Sequence, residues 1–132
     1  MQMANWVGAM LIGVSLTSPV SGVEHTKDTP DAVKKAVADG KAVLLDVREK
    51  SEWDDGHLKD AKHLPLSVLK AGAKAEDVAK IIPKDKVGYV HCGSGIRSLK
   101  AADELKKLGY DVRALKPGYT DLLEAGFPAA KK

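Results

Sequence analysis

The chain has 132 residues, 44% of them apolar and 30% charged, which fits one compact domain with its own core and excludes a disordered chain. Its 21 Lys and Arg against 18 Asp and Glu leave a net charge of +3. That mild excess suits a small anionic substrate, and its even spread with few aromatic residues argues against a nucleic-acid surface.

No charged side chain precedes Glu24, and Trp6–Leu16 is an apolar run of 11 residues followed by Thr17, Ser18 and Pro19. Such a run is shorter than the ~20 residues that span a bilayer. With the small residues that follow it, the pattern predicts a signal segment over 1–22 and export, although no Lys or Arg precedes the run. The alternative is an element packed on the domain, in a chain that stays cytoplasmic. The domain itself is expected over 23–128, with 129–132 as a tail.

Thr29-Pro30-Asp31 is a helix start: a capping hydroxyl, a proline at the first turn and an acid near the positive end. That helix stops at Gly40. Ala42–Val47 is apolar and short, as a buried strand is. Residues 51–56 predict a brief helix closed by Gly56, and 61–64 a short strand stopped by Pro65. Helix is expected over 67–82 with a break near Gly72, then a turn over 83–86. Val87–His91 is the next strand. After a loop, Leu99, Ala102, Leu105 and Leu108 recur at helical spacing up to Gly109. A strand over 112–115, a turn at Pro117-Gly118 and a helix over 119–125 complete the chain. Alternating strands and helices argue for an α/β domain with a largely parallel sheet.

The single cysteine, Cys92, can form neither an internal disulfide nor a multi-thiolate metal site. It stands where a strand ends and a helix begins, the edge at which open α/β sheets bind ligands. Gly93 and Gly95 permit a curved backbone whose N–H groups turn inward. The following helix N-terminus and the Arg97 cation act in the same direction, favouring thiolate over thiol. The alternative is an inert buried thiol, and the glycines and arginine around it favour the reactive reading. A P-loop is excluded because the Gly-Lys-Ser/Thr element is absent.

Cys92-Gly93-Ser94-Gly95-Ile96-Arg97 resembles the active-site loop of rhodanese-like sulfurtransferases, commonly Cys-x-x-Gly-x-Arg. Two further blocks agree in order. The first comprises Leu45-Asp46-Val47-Arg48-Glu49, Glu52-Trp53, Gly56-His57-Leu58, Ala61 and Leu64-Pro65. The second runs from Leu108-Gly-Tyr to Leu115-Lys-Pro-Gly-Tyr119. Pro117 replaces a usual glycine and His63 a usual asparagine, and neither change is expected to alter the chemistry. The resemblance covers about residues 24–127 and implies a five-stranded parallel sheet with helices on both faces. It also implies sulfur transfer without metal or cofactor. Cys92 would take a sulfane sulfur from thiosulfate or a similar donor and hand it to cyanide, a thiol or a protein acceptor. The backbone of residues 93–97 would hold the persulfide.

Asp46, Arg48, Glu52 and His57 could be drawn as a catalytic set, but an ion-pair network tying the strand to the 52–57 segment is the simpler expectation. His91 points away from Cys92, as strand neighbours do. Two other functions compete. A persulfide carrier for a partner protein would keep the same loop. A cysteine phosphatase or arsenate reductase would have five residues between Cys and Arg, where this chain has four.

Overall fold

The computed structural model describes residues 23–131. Four parallel strands, β1 (Ala42–Asp46), β2 (Ala61–His63), β3 (Val87–His91) and β4 (Val112–Ala114), form one sheet in the order β2-β1-β3-β4. The described residues also form six helices, of which the first precedes the sheet, the last follows it and the other four connect its strands: α1 (Pro30–Ala38), α2 (Lys50–Asp55), α3 (Leu66–Lys70), α4 (Ala75–Ala79), α5 (Ile96–Lys107) and α6 (Tyr119–Glu124). Thr29 caps α1 as expected, its Oγ1 accepting the Ala32 N–H at 3.1 Å.

The expected fifth strand is reduced to one residue among those described. His25 makes a single parallel bridge to Ala114, with the Thr26 N–H donating to Ala114 O at 2.8 Å. The chain then turns to the Thr29 cap three residues later, and among the described residues no ladder develops beyond this bridge. At the other end, the segment read as a tail is tied in. Leu58 and Ala129 form an antiparallel bridge, and the Ala130 N–H donates to His57 O at 2.8 Å. The helix expected over 67–82 breaks into α3 and α4 around Gly72, whose φ is +93°.

Strand alternation sends β1 and β3 side chains to two faces. Leu44 and Tyr89 pack with Val33 of α1 and Leu122 of α6. Leu45 and Val90 pack with Leu69 of α3, Val78 of α4 and Ala101, Ala102 and Leu105 of α5. Each fully buried leucine contributes on the order of 2 kcal/mol. Because every strand runs the same way, their C-terminal ends share one edge, and residues 47–49, 92–95 and 115–118 leave the sheet there.

Candidate active site

Cys92 follows β3 directly and has no exposed surface. Its side chain belongs to the α3–α5 face of the core. The Gly95 N–H donates to Cys92 Sγ at 3.0 Å. Gly95 reaches this position with φ +91°, a conformation favoured by glycine alone. A Cβ there would also stand 2.7 Å from Lys116 O. Gly93, expected to share the curvature, is not among the glycines of positive φ. Gly93, Ser94 and Ile96 are exposed around the buried sulfur, and α5 starts at Ile96 with its N-terminus toward the loop.

The Arg97 cation, expected to favour the thiolate, is itself paired with a carboxylate. Its two terminal nitrogens donate to the Glu52 carboxylate, Nη1 to Oε1 at 2.6 Å and Nη2 to Oε2 at 2.9 Å. Such a bidentate pair is strong and directional. Glu52 therefore belongs with the loop rather than with the Asp46–Arg48 network to which the sequence assigned it. Its Oε1 also accepts the Glu49 N–H at 3.1 Å, which fixes the start of α2. The Arg97 hydrogen bonds outweigh partial burial and lower the Glu52 carboxyl from 4.5 to about 2. The same partner raises Arg97 above the ordinary arginine value. A carboxyl depressed in the fold contributes stability above its unfolded pKa and loses it as pH falls toward the folded one. The clamp is thus expected to stay closed at pH 5 and to open between pH 4.5 and 2. Following the Glu52 side-chain carbon by NMR should show a midpoint near 2, returned toward 4.5 by Arg97→Ala.

Asp46 and Arg48 do share a face and pair. Arg48 Nε lies 3.0 Å from both carboxylate oxygens and Nη2 lies 2.8 Å from Oδ2, both residues being buried. Arg48 Nη2 also donates to Gly56 O at 2.7 Å, the link to the segment after α2. His57 stays outside this pair. Its Nδ1 lies 2.9 Å from Trp53 O, and its ring stacks on Trp53 at 3.5 Å. His63, in place of the usual asparagine, stacks on Trp53 at 4.6 Å and holds Arg48 O through Nε2 at 2.8 Å. His91, fully buried, faces Asp46 across the β1–β3 ladder with Nε2 3.6 Å from Oδ2. Burial pushes the Asp46 carboxyl up, but His91 and Arg48 outweigh it and hold it well below the usual range.

Three contributors escaped sequence reasoning. His25 Nε2 donates to Gly95 O at 2.6 Å from 70 residues away. Ser98 Oγ sits between Gly95 O at 2.9 Å and Leu115 O at 3.0 Å, its one proton shared between them. The Tyr119 N–H donates to Cys92 O at 2.9 Å. Pro117-Gly118 signalled a turn, but not that the turn lies on the cysteine loop. A Cβ on Gly118 would run into the Gly93 carbonyl and stand 2.9 Å from Cys92 O. Those obstacles are backbone and cannot rotate away. Gly118→Ala is therefore expected to destabilise the fold by about 2–3 kcal/mol and to distort the loop. Urea unfolding checks the first effect, and the rate of Cys92 alkylation the second.

Among the described residues, no three His, Cys, Asp or Glu side chains group closely enough to hold a metal ion. No described helix is long and apolar enough to cross a membrane. The proposed signal segment, 1–22, lies outside the described residues.

A family model for the rhodanese-like domain matches residues 29–125. The chain is 31% identical over 99 residues to the probable adenylyltransferase/sulfurtransferase MoeZ of Mycobacterium tuberculosis, covering 74% of this chain and 24% of that protein. It is 36% identical over 94 residues to thiosulfate sulfurtransferase 18 of Arabidopsis thaliana, covering 64% and 68% respectively. The first curated relatives are matched over only 24% to 59% of their own lengths. Among solved structures, a rhodanese-related protein from Thermoplasma volcanium superposes with a TM-score of 0.63 at 26% identity, over 78% of this chain and 95% of that one. The human single-domain sulfurtransferase TSTD1 has the same fold, with a TM-score of 0.61 at 24% identity over 74% of this chain and 97% of that one. With its cysteine loop at the carboxyl edge of a parallel sheet and 29–125 matched throughout, this chain belongs to the rhodanese-like domain family.

Proposed function

We propose that the protein is a sulfurtransferase that carries sulfane sulfur on Cys92. The observation that carries this reading is the Gly95 N–H aimed at Cys92 Sγ at 3.0 Å, inside a loop held by His25, Ser98 and Tyr119. A preorganised donor of this kind stabilises negative charge on sulfur.

After losing its proton, Cys92 attacks the outer sulfur of thiosulfate or a similar donor. A bond forms between Sγ and that sulfur while the sulfur–sulfur bond of the donor breaks, and sulfite leaves with the electron pair. The persulfide anion takes over the loop donors. Attack on its terminal sulfur by cyanide or a thiolate then forms thiocyanate or a new persulfide and returns the Cys92 thiolate. Cys92 is fully buried, so the exposed Gly93–Ser94 rim must part to admit donor and acceptor. No second cysteine in this chain can receive the sulfur. The acceptor is external, a small thiophile or the thiol of a partner protein for which this chain acts as carrier.

The phosphatase reading is less well supported. Both terminal nitrogens of Arg97 are committed to Glu52, and four residues separate Cys92 from Arg97. Incubation of the full chain with thiosulfate should add one sulfur atom to its intact mass, and cyanide should remove it as thiocyanate. No gain with any sulfane donor would overturn the proposal, and aryl phosphate hydrolysis lost in Cys92→Ala would replace it with the phosphatase.

A further inference from the structure

The cysteine loop lies on a bed made by the β4–α6 connection. Lys116 O is against Gly95, Gly118 is against the Gly93 carbonyl, and the Tyr119 N–H holds Cys92 O at 2.9 Å. The side chain that anchors this bed is Tyr119. Arg48 Cζ sits 4.2 Å from the centre of its ring. The guanidinium cannot turn away, because Nε and Nη2 are tied to Asp46 and Nη2 also to Gly56 O. The tyrosine hydroxyl fits over Gly56, where a Cβ would stand 2.8 Å from it. A buried ion pair on the α1–α6 face of the sheet is thereby coupled, through one aromatic ring, to the backbone of the residue that bears the sulfur.

We infer that Tyr119, held by Arg48, is a positioning residue for the Cys92 loop; this rests on the sulfurtransferase reading above. Tilting the Cys92–Gly93 peptide would move the Gly95 N–H off the sulfur. The consequence falls on charge stabilisation during transfer rather than on donor binding, since the ring reaches the sulfur only through backbone. A cation over an aromatic face needs the ring and not the hydroxyl.

The test is thiosulfate-to-cyanide transfer by the full chain. Tyr119→Leu is expected to lower kcat about tenfold while KM stays within about twofold, the pattern of an interaction lost in the transition state. Tyr119→Phe and Tyr119→Trp, which keep a ring on Arg48, should retain kcat within about twofold. Hydrogen exchange at the Gly95 amide should speed up in Tyr119→Leu while the β1 amides stay protected. Tyr119→Met gives a second open-chain variant if leucine lowers the yield of folded protein. Unchanged kcat in the open-chain variants, or a loss in Tyr119→Phe as large as in Tyr119→Leu, overturns the inference. A wild-type chain that takes up no sulfur instead overturns the sulfurtransferase reading on which it rests.

Discussion

With serine at position 92, sulfur loading from thiosulfate is expected to fall to the level of the reagents alone, with the fold intact. A serine hydroxyl does not ionise usefully near neutral pH, and oxygen cannot store a sulfane sulfur as a persulfide does. The chain has no other cysteine to take over. The substitution is nearly isosteric, and the site already supplies a partner, because the Gly95 N–H that meets Sγ at 3.0 Å can donate to Oγ. A buried hydroxyl with a hydrogen bond shifts stability by only about 1 kcal/mol. Intact mass after thiosulfate treatment and the thermal midpoint should therefore part company: no added sulfur, and a midpoint within a few degrees of wild type. Persistent loading in Cys92→Ser would move the chemistry off this residue. A collapse of the midpoint would show that the thiol is held for packing.

What was legible in the sequence was whatever is encoded within a few residues. Thr29-Pro30 announces α1 because cap and first turn are adjacent, and Asp46 and Arg48 reveal their shared face by strand alternation. Cys92 to Gly95 announce a loop because glycine permits what other residues resist. His57 apart, the features that were missed or placed with the wrong partner depend on distant chain paths. Glu52 and Arg97 are 45 residues apart, and only the placement of α2 over the loop pairs them. His25 reaches Gly95 O across 70 residues. Gly118 reads locally as a turn glycine, although its lack of a side chain matters for the Cys92 and Gly93 carbonyls above it. The fifth strand was expected from family resemblance, and among the described residues it is a single bridge at His25, four residues before the Thr29 cap.

Removing the Asp46 carboxylate should have the largest effect on stability. Asp46→Ala leaves the Arg48 guanidinium buried with Gly56 O as its remaining hydrogen-bond acceptor and His91 facing a void. Breaking a buried pair from one side costs about 3–5 kcal/mol. Against a total of about 5–15 kcal/mol for a domain, urea unfolding should show the loss of about a fifth or more. The carboxyl is depressed in the fold, so its contribution is present above the unfolded aspartate value and fades as pH falls below it. The difference between wild type and Asp46→Ala should therefore shrink in acid. An apolar replacement of both partners separates stability from function. Asp46→Leu with Arg48→Met removes the unpaired charge and should recover much of the stability lost in Asp46→Ala. It removes the planar cation over Tyr119, so sulfur transfer should be slower than in wild type in a chain that is again stable. Recovery of both together would mean that the ion pair serves the fold alone, and that the Cys92 loop is held by its backbone contacts without help from Arg48.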